Sequence, residues 1–388
     1  MSGERLVTLV DNVVEKGMSP DGARIDLEDV ESGMGQLRAH PTQRAGDGLI
    51  MSPGDVLFGK LRPYLRKSLL VEMAGACSPE FLVLRPRAGI DSRFLAYVVQ
   101  SDQFVTNAVS STDGAKMPRT SFEKLRGFRV NVPGFDRQTV IADFLDAETA
   151  RNDALVSVRI RQRRLLVERH AAFVATVMSS AGSPTRLASA IAAIEQGASP
   201  RCEDRPAAAG ECGVLKLSAV STRGFAPGEN KFLADEVDMS RMAVRDGDLL
   251  VTRANTPTLV GLAVVARHTN DRVTLLLPDL IYRLTLRDGH DPDYVQLALS
   301  TAEARAQMTS AARGSSQSMV KLRGEDLREL RVPLPSLEHQ RSNAFAARMQ
   351  WGRVRLTLDA IDRQITLLRE RRQALITAAV SGHVEVGG

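Results

Sequence analysis

Residues 137–180 read RQTVIADFLDAETARNDALVSVRIRQRRLLVERHAAFVATVMSS. From Gln138 to Ser180 the stretch is rich in Arg, Ala and Leu and has no Pro or Gly. That composition predicts one long exposed helix. A second copy closes the chain, from Gln340 to Gly382, 202 positions on. The same shift superimposes Arg161-Gln162 on Arg363-Gln364, Leu165-Leu166 on Leu367-Leu368, and Glu168-Arg169 on Glu370-Arg371. It also superimposes the preceding segments, Arg129–Pro133 and Arg331–Pro335. A shift held this long marks a tandem duplication.

In the second copy Val354, Leu358, Ile361, Ile365, Leu368 and Leu375 fall at heptad steps, interrupted by Arg372. That is a coiled-coil seam. The first copy is rougher, with Asn152 and Arg159 where the second has Val354 and Ile361. Each helix of about 40 residues is roughly 60 Å long. Two equivalent stripes in one chain predict a mutual pairing, antiparallel because a domain lies between them. The alternative is a helix laid on its own domain.

The bulk composition bounds the rest. A chain of 388 residues predicts two to four units, and 43% hydrophobic residues suffice for real cores. Net charge is only +5, but Arg dominates the cations and clusters in the helices and several loops, which leans toward an anionic partner. Aromatics make up 4%, a poor basis for stacking on single strands. Three scattered cysteines, Cys77, Cys202 and Cys212, fit a reducing, cytoplasmic setting. The first residues show no basic-then-apolar signal and no apolar run reaches membrane-spanning length, so a membrane role is not expected.

Four segments follow. Residues 1–134 are read as a mixed domain with strands at Asp55–Phe58, Ser68–Met73, Glu80–Arg87 and Phe128–Val132, a helix at Ser92–Val109 and a loop at Ser110–Thr120. Residues 135–182 are the first long helix. Residues 183–335 repeat the domain: Gly247–Val251 answers Gly54–Phe58, strands are read at Leu259–Arg267 and Leu275–Arg287, a helix at Asp293–Ala312, and a loop at Arg313–Met319. Residues 336–388 carry the second long helix. The fold class is α+β. Gly197–Gly210 and Thr222–Gly228 have no counterpart in the first half, so the loops diverge on a kept skeleton.

Catalytic patterns are weak. Gly54-Asp-Val-Leu-Phe-Gly-Lys60 approaches a phosphate-binding loop, but Leu61 stands where the Mg²⁺-holding hydroxyl belongs and the interior is strand-like. Gly33-Met-Gly35 reads as a turn. Six scattered histidines pair with no Cys or carboxylate at ligand spacing, and neither a nuclease constellation nor an amino-methylating tetrad is found. The residues argue for a binding protein and no enzyme.

The basic loops recur at matching places in both halves. The first half offers Lys60, Arg62, Arg66 and Lys67, then Lys116 and Arg119. The second offers Arg253, Asn255 and Thr256, then Arg313, Ser315, Gln317 and Lys321. These side-chain types hold phosphates and read base edges. A single basic loop is usually solvated surface; recurrence in both copies is what favours DNA.

Several stretches resemble the specificity subunits of type I restriction–modification systems. They are Leu27–Gly33, Gly54–Pro63, Cys77–Pro86, Gly114–Thr120, Phe144–Thr149, Gly247–Thr256, Gly314–Met319 and Glu370–Ile376. Leu280, where such proteins tend to have Lys, and Asn152, at an apolar helix position, depart from the pattern. The resemblance implies two target-recognition domains spaced by an antiparallel coiled coil, reading a split target in double-stranded DNA. It also implies docking of two methyltransferase subunits and association with restriction subunits. S-adenosylmethionine, ATP and Mg²⁺ would then sit on those partners, and this chain would bind no cofactor and carry no catalytic site. The rival readings are a DNA-binding subunit of another defence or methylation system, and a tandem protein-interaction scaffold. A scaffold would show no salt-sensitive duplex binding.

Overall fold

A computed structural model describes residues 3–19, 24–38, 46–114, 116–234, 240–267, 272–316 and 319–384, without the side chains of Ser240, Ser315 and Ser316. The chain forms two compact units. The first combines residues 1–162 with 360–388, and the second is residues 163–359. Each therefore holds a globular part and a segment of each long helix.

Both long helices form, as Phe135–Ser179 and Leu337–Ser381, each of 45 residues. At 1.5 Å per residue each is about 68 Å long. Ala142, Leu145, Thr149, Asn152 and Val156 are buried at alternating steps of three and four. In the last helix Leu358, Ile361, Ile365 and Arg372 are buried on the expected seam, with Val354, Leu368 and Leu375 half-buried. Segments run antiparallel inside each unit. In the first, Ile141 and Leu145 share a core with Ile376, Ala379 and Val380, while Asp153 pairs with Arg372 at 3.2 Å. In the second, His170 Nδ1 lies 2.6 Å from Gln350 Oε1, and Val174 and Met178 share a core with Ala344.

The globular part of the first unit has a four-stranded antiparallel sheet ordered Val10–Val13, Phe81–Pro86, Val56–Gly59, Ser68–Leu70. Every residue of Val56–Gly59 is buried, as an inner strand requires. A second sheet is ordered Lys16–Met18, Asp47–Met51, Gly75–Cys77, Arg24–Ile25, the last pair parallel. The second unit repeats the first sheet as Ile191–Gln196, Ile281–Leu286, Leu249–Thr252, Ala263–Val265. Its other sheet keeps the parallel pair, now Cys212–Leu215 with Thr274–Leu276, and Ala243 bridges Leu276 where Asp47–Met51 pairs in the first unit. Asn230–Leu233 is added on the far edge of Cys212–Leu215, the product of a segment the first half lacks.

Several boundaries differ from the sequence reading. The helix expected at Ser92–Val109 is two, Ser92–Gln100 and Asp102–Ser110. Ser101 takes an extended conformation, and its hydroxyl accepts the Phe104 N–H at 3.3 Å, starting a new helix. Asp293–Ala312 divides in the same way into Pro292–Leu299 and Ala302–Ala311, with Thr301 capping Ala304. Leu275–Arg287 splits into Thr274–Leu276 and Ile281–Leu286, because Pro278 cannot donate to a ladder. Leu259–Arg267 shrinks to Ala263–Val265, since Leu259 and Val260 both bond back to the Thr256 carbonyl in a turn. The loop expected at Arg313–Met319 holds strand Arg313–Ser316, and a second strand, Met319–Lys321, pairs with it.

The duplication extends to single side chains. Gln138 and Gln340 are both fully buried near the start of their helices. Arg372 is 5% exposed and donates to the carbonyls of Gly33 and Met34 at 3.1 and 2.8 Å and to Gln100 Oε1 at 3.3 Å. The equivalent seam position in the other long helix is His170, tilted against Trp351 at 4.6 Å.

Candidate nucleic-acid interface

Two residues before each buried inner strand stands a glycine in the left-handed region, Gly54 at φ 90° and Gly247 at φ 92°. A side chain there would be strained, which accounts for both Gly-Asp pairs. Each Asp closes its turn, Asp55 accepting from Ser52 N at 2.8 Å and Asp248 from Arg245 N at 2.9 Å. Arg85 and Arg283 pair with these carboxylates at 2.8 and 3.3 Å.

The candidate residues lie where these strands run out. In the first unit Lys60 N donates to Glu80 O at 2.8 Å, Thr120 N to Lys60 O at 3.0 Å, and Arg62 N to Pro118 O at 2.8 Å. Leu61 bridges Arg119, and Arg119 bridges Asp113. The second unit builds the same ladder: Arg253 N donates to Leu280 O at 2.8 Å and Leu322 N to Arg253 O at 2.8 Å. Ala254 pairs with Lys321, Asn255 with Val320, and Lys321 with Arg313. The ladders equate Lys60 with Arg253, Arg62 with Asn255, Arg119 with Lys321 and Asp113 with Arg313.

The structure thus brings Lys60, Arg62 and Arg119 together, with exposed Lys116 in the adjoining loop. It brings Arg253, Asn255, Arg313 and Lys321 together in the second unit, with Thr256 directly after Asn255 and the Ser315 backbone on the outer strand. Gln317 lies outside the described residues. Arg66 and Lys67 are drawn away: Arg66 pairs with Asp102 at 2.6 Å and donates to Gln100 O, and Lys67 Nζ donates to Leu27 O. Burial holds the Lys60 and Lys67 ammonium groups below the ordinary lysine value, Glu80 opposing the shift at Lys60 and Arg38 adding to it at Lys67. Arg119 pairs with Glu80, and Arg253 donates to Tyr282 Oη at 3.2 Å and to Asp279 O at 3.4 Å. Among the described residues Arg62, Lys116, Arg313 and Lys321 have no ion pair.

A search for cations alone passes over the ladder's acids, Glu80 and Asp113, the latter paired with Lys124. The internal repeat could have found them, since it sets Leu280 and Arg313 at their positions. Among the described residues no group of three or more His, Cys, Asp or Glu could hold a metal ion, and no helix is long and apolar enough to cross a membrane.

No protein-family model matches the chain. It is 30% identical over 153 residues to the specificity subunit of the type I restriction enzyme EcoEI of Escherichia coli, covering 39% of this chain and 25% of that one. It is 25% identical over 283 residues to the EcoKI specificity subunit of Escherichia coli strain K12, covering 66% and 58%. The chain thus spans about a quarter of the first relative and 58% of the second. In fold it matches a chain from a structure describing assembly and conformational transition of a type I restriction–modification system. The TM-score is 0.70 at 18% identity, over 98% of this chain and 97% of that one. The resemblance carried by the residues is therefore met twice, in sequence by type I restriction specificity subunits and in fold by a chain of a solved type I restriction–modification system.

Proposed function

We propose that this chain is the DNA-specificity subunit of a type I restriction–modification complex. Its two ladders each read one half of a gapped duplex target. The observation that carries this is the match of the ladders: one pattern of pairings, built twice, presents Arg62, Arg119 and Asp113 in one copy and Asn255, Lys321 and Arg313 in the other. A repeated frame with changed polar side chains is what two readers of different sequences need. The exposed stretches of the two long helices dock methyltransferase subunits, and restriction subunits join through them. S-adenosylmethionine, ATP and Mg²⁺ belong to those partners, and this chain contributes recognition without catalysis.

The test is methylome sequencing of cells expressing the chain with a methyltransferase subunit of this class. The expected result is a two-part gapped motif, methylated on adenine and lost without this chain. A stable complex that methylates no such motif would overturn the specificity role. Absence of any complex would overturn the partner assignment.

A further inference from the structure

Arg62 and Arg66 are the non-glycine residues with positive φ among those described, at 50° and 51°. A left-handed residue with a side chain costs roughly 1–2 kcal/mol and persists only where its surroundings hold it. Arg66 has its compensation in Asp102 and the Gln100 carbonyl. Arg62 has none. Its backbone is fixed by the Pro118 carbonyl and by buried Pro63, while its guanidinium is exposed and unpaired among the described residues. The backbone is held while the guanidinium donors stay available to a ligand.

The corresponding position in the second ladder is Asn255, which pairs with Val320 where Arg62 bonds to Pro118, but lies in a strand without Arg62's positive φ. Its Oδ1 accepts the Thr256 N–H at 2.8 Å, which fixes the amide plane and leaves a second lone pair and both Nδ2 hydrogens. The neighbouring candidates are already committed, Arg119 to Glu80 and Arg253 to Tyr282 and Asp279.

We infer that Arg62 and Asn255 are equivalent base-reading positions, Arg62 selecting a guanine in one half of the target and Asn255 an adenine in the other. This rests on the proposed DNA-specificity role. The chemistry is that of the side chains. Arg offers parallel N–H donors that match guanine O6 and N7. Asn offers one donor and one acceptor that match adenine N7 and N6.

The test uses the full-length chain and a randomised duplex library at fixed salt, with wild type, Arg62→Asn, Arg62→Lys and Asn255→Arg compared. Asn tolerates the left-handed region better than Arg, so Arg62→Asn keeps the turn. Wild type is expected to enrich a gapped motif. Arg62→Asn should replace one G·C preference by A·T in one half and leave the other half intact. Arg62→Lys should keep the charge and lose roughly tenfold in discrimination at that same pair. Asn255→Arg should bring a G·C preference into the opposite half. If wild type enriches a gapped motif but Arg62→Asn and Arg62→Lys weaken all duplexes alike, Arg62 is a phosphate contact; the inference falls and the specificity role stands. If wild type enriches no motif, the role and the inference fall together.

Discussion

Gln138 and Gln340, 202 positions apart, perform the same act of joinery. Gln138 Oε1 accepts the Asp91 N–H at 2.9 Å, and its Nε2 donates to the carbonyls of Gly89 at 3.0 Å and Pro133 at 2.9 Å. Gln340 Oε1 accepts the Asp291 N–H at 2.9 Å, and its Nε2 donates to Gly289 at 3.5 Å and Pro335 at 2.7 Å. Each ties a long helix to the N-cap of a helix in the domain that precedes it and to the strand exit just before it. Substitution by Met keeps the volume but strands buried polar groups, a cost of about 1–3 kcal/mol. Gln138→Met should speed amide exchange at Asp91, and Gln340→Met at Asp291. Unchanged exchange in both would show that these bonds do not hold the joint.

Arg66 occupies a left-handed position where the second unit has Gly261 at φ 73°. Arg66→Gly removes strain of roughly 1–2 kcal/mol. It also loses a half-exposed ion pair of about 0.2–1 kcal/mol and adds chain entropy to the unfolded state. Urea denaturation should place the variant within about 1 kcal/mol of wild type. Arg66→Val adds a β-branched side chain to the same conformation and should be clearly less stable. Equal stabilities would contradict the strain at this residue.

The loop before Cys212–Leu215 should loosen in acid. Hydrogen bonds from Arg205, then from the Ala208 N–H, hold the Glu211 carboxyl down to about 2 from its ordinary 4.5. A depressed carboxylate stabilises above its ordinary value and loses that contribution as pH falls toward the folded value. The protection factor of the Ala208 amide, taken against its intrinsic exchange rate, should therefore be full at pH 6 and fall between about 4.5 and 2. Glu211→Gln should abolish that pH dependence; a variant that still shows it would place the titrating group elsewhere.

Lys321 is exposed, unpaired among the described residues and central in the second ladder. If it meets phosphate, Lys321→Ala should weaken all duplexes alike and reduce the salt slope by roughly 0.9. A changed sequence preference with an unchanged slope would make it a base reader instead.

The long helices were legible because their signals are local and repeated: heptad steps, an absence of breakers, and a constant shift. The break at Ser101 was written as well, a serine ahead of Asp102, but the apolar spacing runs on through Phe104 and Val105 and masks it. The ladders were not legible. They join Leu61 to Arg119 and Ala254 to Lys321, pairings more than fifty residues apart, and Gly314-Ser-Ser reads as loop until a partner strand is supplied. Nor could composition separate Arg62 from Arg66. Their difference is the distant Asp102, which takes one guanidinium and leaves the other.

The joints also bear on how such a protein changes over generations. Gln138 grips Gly89, Asp91 and Pro133 through main-chain atoms, and Arg372 grips Gly33 and Met34 through their carbonyls. Apart from the Arg372 bond to the Gln100 side chain, these partners are main-chain atoms, whose bonds do not depend on which side chains the domain carries. Surface residues of that domain can change while these main-chain bonds stay the same. Change on the domain surface is thereby uncoupled from the upkeep of the frame.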